Sequence, residues 1–231
     1  MKNLISAILS VCMLMTVSFA ANASGFGMGV TVSMNTMDTA GKEDIDSNKT
    51  IDSTKTVSDD FTVGSIFGEY TSTGIAGSMV AMTIGVDYIP FEADIEKRSI
   101  TQSSLKAIAD GAATTGTNSV EATVSDHYTI YLQPGFMVSD NTMLYGTLGY
   151  ATAQVHGKSV SISSTDISQT LDLNGTVTGA GVKHIRDNGI FIKLDYKETD
   201  YDKIHFTTSN NTRATADLSN STYALSIGKQ F

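Results

Sequence analysis

Apolar and polar residues alternate with a period of two along much of this chain. The pattern is clearest in the last segment, 221–231, where apolar residues occupy one set of alternate positions and mostly small or polar residues occupy the other. Because successive side chains of a β-strand point to opposite faces, this pattern predicts a strand with one apolar and one polar face. The apolar face consists of Tyr223, Leu225, Ile227 and Phe231.

The same alternation predicts seven earlier strands, which gives eight in total. The fourth of them contains Pro134, which lacks the amide hydrogen that a strand interior needs and is therefore a candidate β-bulge. The seven earlier strands are predicted at residues 25–34, 61–71, 82–89, 128–138, 142–155, 171–185 and 190–197.

The connections between these strands are alternately long and short, beginning with a long one. The long connections are rich in polar residues and are interpreted as solvated loops. Within one of them, 103–110 has a short helical pattern, because Leu105 and Ile108 are three residues apart. In the last short connection, Asp-Asn-Gly is typical of a hairpin turn. The connections in order are 35–60, 72–78, 92–125, 139–141, 157–170, 187–189 and 199–219.

This order of connections is typical of outer-membrane β-barrels, which have an even number of strands, short periplasmic turns and long extracellular loops. We therefore predict an all-β fold, an eight-stranded antiparallel up-and-down transmembrane β-barrel with four long extracellular loops. An exported soluble β-sandwich is the alternative, because alternation alone does not tell which face of a strand points inward.

The N-terminal segment has the features of a secretory signal peptide. Lys2 is followed by an apolar run from Leu4 to Met15 and then by small residues that a signal peptidase accepts. We expect cleavage after Ala20 or Ala23, so that 1–23 is the leader and 24–231 is the outer-membrane barrel domain.

Composition narrows the possible functions. The chain has 15 basic and 24 acidic residues, a net charge of −9, which argues against nucleic-acid binding. Its only cysteine, Cys12, would leave with the leader, so we expect neither a disulfide nor a thiolate metal ligand. No later segment approaches eighteen consecutive apolar residues, so a closed barrel is the remaining way to span a membrane.

Several short segments carry a resemblance to a known family. They are Gly-Phe-Gly-Met-Gly-Val at 25–30, Ser-Ile-Phe-Gly-Glu-Tyr at 65–70, Ile-Gly-Val-Asp-Tyr-Ile-Pro at 84–90, Leu-Tyr-Gly-Thr-Leu-Gly-Tyr at 144–150, Phe-Ile-Lys-Leu-Asp-Tyr-Lys-Glu-Thr-Asp-Tyr at 191–201, and the terminal Phe231. With these segments, the chain resembles the small OmpA/OmpX-like, opacity-type outer-membrane barrels of Gram-negative bacteria.

The resemblance implies a location in the cell outer membrane and contact with outer-membrane lipid. It also implies assembly by the barrel-assembly machinery through the C-terminal strand, and a role in envelope integrity, adhesion or contact with a host or phage. Two features depart from the family: Lys229 stands where an apolar residue is usual, and the chain has no Trp. Any aromatic girdle must therefore use Tyr and Phe, such as Tyr70, Tyr88, Tyr128, Tyr150, Tyr196, Tyr223 and Phe231.

Charged residues are predicted inside the barrel. Lys193, Asp195 and Lys197 share the inner face of the seventh strand with Asp87 on the third, and Glu69 is a further candidate. The interior of an eight-stranded barrel is just wide enough for side chains to fill it, and an unpaired buried charge costs several kcal/mol. We therefore expect an ion-pair network that plugs the barrel; a narrow ion or small-solute pore is the alternative.

Catalytic, cofactor and metal sites are not predicted. Ser125, Asp126 and His127 lie at the predicted outer rim, where a lipid-modifying enzyme would act, but neighbouring residues of a strand point to opposite faces and do not form a triad. His127, His156 and His205 are interpreted as scattered histidines near the rim. We therefore expect a non-enzymatic barrel whose loops contact an unknown surface ligand.

Overall fold

A computed structural model describes residues 24–44, 50–51, 53–74, 79–106, 113–160, 167–207 and 213–231. The leader and its two candidate cleavage sites lie outside these ranges. Within them, no helix is both long enough and apolar enough to cross a membrane. The strands are β1 (Gly25–Asp44), β2 (Ser53–Thr73), β3 (Val80–Ile89), β4 (Ala93–Lys106), β5 (Ala113–Ser139), β6 (Thr142–Val160), β7 (Ile167–Ile185), β8 (Ile190–Tyr201), β9 (Ile204–Thr207) and β10 (Arg213–Gln230).

Eight of these strands close into one antiparallel barrel. Their order is β1-β2-β3-β5-β6-β7-β8-β10, and β10 pairs back with β1 from Gly27↔Gln230 to Asp44↔Arg213. The other two strands extend barrel strands after short breaks. β4 extends β3, and both pair with β5. β9 extends β8, and both pair with β10. The prediction of an eight-stranded antiparallel barrel is confirmed.

The outer surface of the barrel carries an apolar band. At alternate positions of every barrel strand except β7, large apolar side chains are exposed, while most residues between them are polar, small or aromatic and point inward. Tyrosines mark one end of the band, where Tyr88 pairs with Tyr128 and Tyr196 pairs with Tyr223, whose rings lie 4.9 Å apart. This arrangement inverts that of a soluble β-protein and matches a barrel surrounded by lipid.

Tight turns join the strands at the opposite end of the barrel. Asp140 and Asn141 form the turn between β5 and β6, and 187–189 connects β7 to β8, as predicted. Gly189 adopts a φ of +81°, and a Cβ there would lie 2.4 Å from the carbonyl oxygen of Gln230. Glycine is therefore required at this turn, both for its backbone conformation and for the close approach of the C-terminal strand.

The four long connections lie at the predicted end, but much of their length is strand rather than loop. β1 continues to Asp44, and β2 begins at Ser53. β4 occupies much of the predicted connection 92–125. The helical turn expected at 103–110 is wrong for 103–106, which belong to β4, and its remainder lies outside the described residues. Above the band most residues on both faces of a strand are polar or small, so the alternation that reveals a strand is weak.

The candidate bulge at Pro134 is also wrong. Pro134 pairs in register with Met82, and the β5–β6 register is unbroken on both sides of it. The register shifts instead between Ser125 and Tyr128, where β5 has one extra residue and Asp126 adopts a φ of +52°. A non-glycine residue in this conformation is uncommon and is typical of a bulge that redirects a side chain.

Above the band the barrel wall divides into two four-stranded sheets. The β2–β3 pairing ends at Ile66↔Tyr88 and the β7–β8 pairing ends at Gly175↔Tyr201. Beyond these points, no pairing of described residues joins β2 to β4 or β7 to β9. The sheets β9-β10-β1-β2 and β4-β5-β6-β7 form the part that we call the extension, and we call the openings between them the β2/β4 seam and the β7/β9 seam.

An apolar cluster packs between the two sheets of the extension. We call it the apolar cap; it contains Met37 and Leu218 from one sheet, and Ala153, Val155 and Leu173 from the other. All five side chains are buried. Because no strand pairing joins the described residues of the two sheets at this height, the hydrophobic contacts of the cap help to hold the extension together.

The apolar band predicts how substitutions at different heights affect stability. Ile227 lies in the middle of the band on the closing strand, where it pairs with Val30 and Ile192. We expect Ile227→Arg to lower the free energy of unfolding by about 2–4 kcal/mol, because it places a charge in hydrocarbon. Denaturant titration in phospholipid vesicles, followed by circular dichroism, measures this change.

The matched control is Thr56→Arg, which adds the same side chain at an exposed position of the extension. Its effect should stay below about 0.5 kcal/mol. Similar losses in the two variants would contradict the position of the band in lipid.

Candidate functional site

The lower half of the barrel interior is organised around Glu69 on β2. One carboxylate oxygen accepts a hydrogen bond from Lys183 at 2.9 Å, and the other accepts from Lys193 at 2.8 Å and from the Tyr131 hydroxyl at 2.9 Å. The Glu69 side chain is only 2% exposed. Three strands besides β2 thus converge on one buried carboxylate, and two lysines share its charge.

Polar and aromatic groups complete the surroundings of both lysines. Lys183 also donates to Gln230 at 2.8 Å and to Thr71 at 3.2 Å, and its Nζ lies 4.2 Å from the ring centroid of Phe191. Lys193 donates to Gln133 at 3.4 Å. We call this set the Glu69 plug: Glu69, Thr71, Tyr131, Gln133, Lys183, Phe191, Lys193 and Gln230.

Small residues make room for the aromatic side chains of the plug. A Cβ on Gly228 would lie 2.4 Å from the Phe191 ring. Phe191 is fully buried and packs on Phe67 with ring centroids 5.9 Å apart. The space just above the plug is a cavity of only about 20 Å³. The lower interior is therefore filled by side chains, as the narrow diameter of an eight-stranded barrel requires.

Three of the four predicted interior residues have defined places around the plug. Lys193 belongs to it, Asp195 accepts a hydrogen bond from the Tyr145 hydroxyl at 2.8 Å, and Asp87 accepts one from Ser65 at 2.8 Å. Lys197 lines the interior beside Asp87. With Glu69 and Lys183, these described residues provide three carboxylates and three ammonium groups, so their formal charges balance.

Sequence reasoning missed Lys183. β7 is rich in glycine, so its inner and outer faces are not distinguished by hydrophobicity. The hairpin turn at 187–189 contained the missing signal, because it sets the register that places Lys183 opposite Lys193. Directly paired residues of neighbouring strands share a face, so the known inward direction of Lys193 also gives that of Lys183.

A second cavity, of about 90 Å³, lies between the Glu69 plug and the apolar cap. Its polar side includes Asn35, Asp87, Lys197 and Asn220. Its apolar side is formed by Met37, Phe61, Val63, Ile89, Phe91, Val124, Leu173 and Val177. We call this space the upper cavity; it can hold several water-sized groups.

His127 lies at the height of the predicted rim, directly above the Tyr88↔Tyr128 pair, and its side chain points into the barrel beside the upper cavity. Its Nε2 is 3.2 Å from the Tyr201 hydroxyl, which reaches it from β8 across the interior. The bulge at Asp126 allows both His127 and Val124 to line the cavity. A regular strand would have placed these two residues, which are three apart, on opposite faces.

The histidines are separated from one another. His156 contacts Thr170 at 2.9 Å and His205 contacts Thr215 at 3.3 Å, and both histidines are exposed on the extension. Among the described residues, no group of three or more His, Cys, Asp or Glu side chains is arranged to hold a metal ion.

The closing strand presents its apolar face to the outside of the barrel. Tyr223, Leu225 and Ile227 are 64%, 54% and 54% exposed, whereas the residues between them point inward. The amide of Phe231 donates to the carbonyl oxygen of Phe26 at 2.8 Å, next to the first residues of β1. The residues that the sequence marks as the barrel-closing signature therefore lie where the last strand meets the first.

Comparison with known proteins gives one family. Residues 5–231 match the outer membrane protein beta-barrel domain family. No curated protein sequence matches the chain. Among solved structures, the outer membrane protease OmpT from Escherichia coli is similar with a TM-score of 0.52 and 10% identity, over 94% of this chain and 99% of that one.

Two smaller barrels are also similar in structure. The attachment invasion locus protein Ail of Yersinia pestis has a TM-score of 0.37 and 12% identity, over 87% of this chain and 99% of that one. Neisserial surface protein A has a TM-score of 0.38 and 10% identity, over 87% and 97% of the two chains.

The Glu69 plug predicts a large difference between interior and surface ion pairs. Glu69→Gln keeps the side-chain volume but leaves two buried ammonium groups without their shared carboxylate. We expect it to lower the free energy of unfolding by about 3–5 kcal/mol. Denaturant titration of the protein in phospholipid vesicles measures this effect.

Two further variants test the cause. Asp217→Ala removes an exposed partner of Lys203, which lies 3.1 Å away, and should cost less than about 1 kcal/mol. Combining Glu69→Gln with Lys183→Met and Lys193→Met should recover much of the loss, because the two ammonium groups that lose their shared carboxylate are then absent. Equal losses from Glu69→Gln and Asp217→Ala would mean that water, rather than Glu69, solvates the interior lysines.

Proposed function

The chain belongs to the outer membrane protein β-barrel family, whose members reside in the outer membrane, and on this premise we propose that it is a non-enzymatic, non-conducting anchor for a surface-contacting extension. The observation that carries the proposal is the Glu69 plug. The barrel supplies the attachment to the membrane, and the two sheets above it supply the contact surface.

The contents of the barrel favour an anchor over a transporter. A passage for ions or solutes needs a continuous wet path, and here the Glu69 carboxylate, two lysines and the buried ring of Phe191 occupy its lower half. Opening such a path would separate charges that are now paired in a poorly hydrated interior, which is strongly unfavourable. The apolar cap is a second obstruction above the plug.

The extension is suited to contact with other molecules. It projects strands rather than only loops beyond the apolar band, which gives a surface fixed by backbone hydrogen bonds. Its outward side chains are mainly Thr, Ser and charged residues, such as Lys55, Asp60 and Asp172, which are exposed. A rigid polar surface held away from the membrane can bind a partner without losing much conformational entropy.

The surroundings of His127 support a non-enzymatic role. Catalysis by serine would require a base within hydrogen-bonding reach of the nucleophile. His127 makes its hydrogen bond with Tyr201 on the opposite wall, and the bulge at Asp126 lies between it and Ser125. Similarity to the E. coli protease OmpT, at 10% identity, concerns the fold alone.

A surface-contact role predicts that the extension is needed for binding but not for insertion. A variant with 38–59 and 156–170 replaced by short turns removes the tips of the β1–β2 and β6–β7 hairpins and keeps the apolar cap. We expect it to reach the outer membrane and show the heat-dependent gel shift of a folded barrel. A non-adherent Gram-negative host that produces it should bind cultured epithelial monolayers several-fold less than a host producing the intact chain.

Trimming one hairpin at a time serves as the matched control and assigns the contact to one sheet. Equal binding by hosts with the intact and the doubly trimmed chain, at equal amounts in the outer membrane, would contradict the surface-contact role.

A further inference from the structure

Two buried polar atoms beside the upper cavity have no hydrogen-bond partner within the described part of the chain. They are the Nδ1 atom of His127 and the Oδ1 atom of Asn220, and both residues line the cavity. Buried polar atoms are nearly always hydrogen-bonded in folded proteins, because leaving them unpaired is unfavourable. Two such atoms at one cavity therefore point to a bound molecule that supplies the missing partners.

The neighbours of Asn220 fix the direction of its amide group. Its Nδ2 donates to the Oδ1 of Asn35 and to the hydroxyl of Thr222, both at 3.1 Å. The Asn35 amide is itself fixed, because its Nδ2 donates to the carbonyl and hydroxyl oxygens of Ser33. Flipping Asn220 would place two amide oxygens against each other. The free Oδ1 is thus a true acceptor, and it needs a donor from a ligand.

His127 offers the second contact. Its Nε2 is held by Tyr201, which leaves Nδ1 as the ring atom available to the cavity. In a neutral imidazole the two ring nitrogens have opposite roles, and the Tyr201 hydroxyl can serve either of them. Nδ1 can therefore either donate to a ligand or accept from it.

The upper cavity opens sideways through the β2/β4 seam. Phe61, Val63, Ile89 and Phe91 line both the cavity and a surface groove at this seam. The seam begins directly above the Ile66↔Tyr88 pair, at the tyrosine-lined edge of the apolar band. Phe91 is 69% exposed there. The opening thus lies at the height of the membrane interface, and its walls are apolar.

We propose that the upper cavity binds a neutral single-chain amphiphile that enters from the outer leaflet through the β2/β4 seam, with a hydroxyl or amide headgroup bonded to Asn220 and His127. The headgroup occupies the polar side of the cavity. The hydrocarbon chain passes between Phe61, Val63, Ile89 and Phe91 to the lipid. This site is independent of the surface-contact role of the extension.

Both the charges and the unpaired atoms favour a neutral headgroup. An ionised carboxylate only accepts hydrogen bonds, so it would leave the Oδ1 of Asn220 without a donor. Asp87 and Lys197 line the same cavity with opposite formal charges, so they provide no net charge that would hold an ionised headgroup. A hydroxyl or primary amide both donates and accepts, and it can serve the two unpaired atoms together.

Photolabelling tests the proposal on the full-length chain, produced in the outer membrane of a Gram-negative host, purified and placed in phospholipid nanodiscs. The probe is a dodecanol derivative that carries a diazirine in its chain. After irradiation, mass spectrometry should find label on Phe61 and Ile89 of the seam, in addition to the lipid-facing band. Unlabelled dodecanol should remove the seam label, whereas dodecanoate at the same concentration should not.

Two variants connect the label to the cavity. Val177→Phe fills the cavity from β7 and should abolish the seam label, whereas Val182→Phe, the same change on the lipid-facing side of that strand, should leave it intact. Asn220→Leu should weaken competition by dodecanol about tenfold, through loss of one hydrogen bond. A heat-dependent gel shift confirms that each variant is folded.

Three results would overturn the proposal. The first is label confined to the lipid-facing band, the second is equal seam labelling in the Val177→Phe and Val182→Phe variants, and the third is competition by dodecanoate as strong as that by dodecanol. If Val177→Phe fails the gel-shift check, the Asn220→Leu comparison decides, and an unchanged response to dodecanol would then reject the site.

Discussion

Within a bilayer, every backbone amide and carbonyl group must find its hydrogen-bond partner inside the protein. The pairing of β10 with β1 meets this requirement by closing the barrel, and it decides where the side chains lie. Apolar residues face lipid, so the polar residues of each strand must share a narrow interior. Lys183 and Lys193 are stable there because they share Glu69. The Tyr145 and Ser65 hydroxyls donate to Asp195 and Asp87, and this packing fills the space that a pore would need.

Above the membrane the requirement is relaxed, because water can bond to a free strand edge. The wall divides at Ile66↔Tyr88 and at Gly175↔Tyr201, and hydrophobic packing of the apolar cap replaces closure by hydrogen bonds. The upper cavity lies at the transition between these two regimes. The charged interior residues lie below the upper cavity, and the apolar cap lies above it. One side of the cavity opens where the β2/β4 seam begins. The bulge at Asp126 lies at the same height, and it turns Val124 toward the cavity, whereas His127 keeps the inward direction of Thr129.

The sequence contains enough information for the barrel and for part of its interior. Alternation with a period of two identifies the eight strands, and Asp-Asn-Gly predicts one hairpin. On β8, the charged Lys193 and the apolar Ile192 point to opposite faces, which tells which face is inward. Much of the extension escapes prediction because a strand whose residues are mostly polar or small on both faces looks like a loop. Lys183 escapes because glycines hide the two faces of β7. The partner of His127 is Tyr201, which contacts it from another strand across the barrel, and such a contact leaves no local pattern in the sequence.

Single-channel recording of the intact protein in a planar lipid bilayer tests the central claim most directly, namely that the Glu69 plug blocks the interior of the barrel to ions. Insertion is verified in parallel by the heat-dependent gel shift of the same preparation. We expect an inserted barrel that passes no steady current. Reproducible ion-sized openings that change with Lys193→Ala or Asp195→Ala would contradict it and would make the interior a pore.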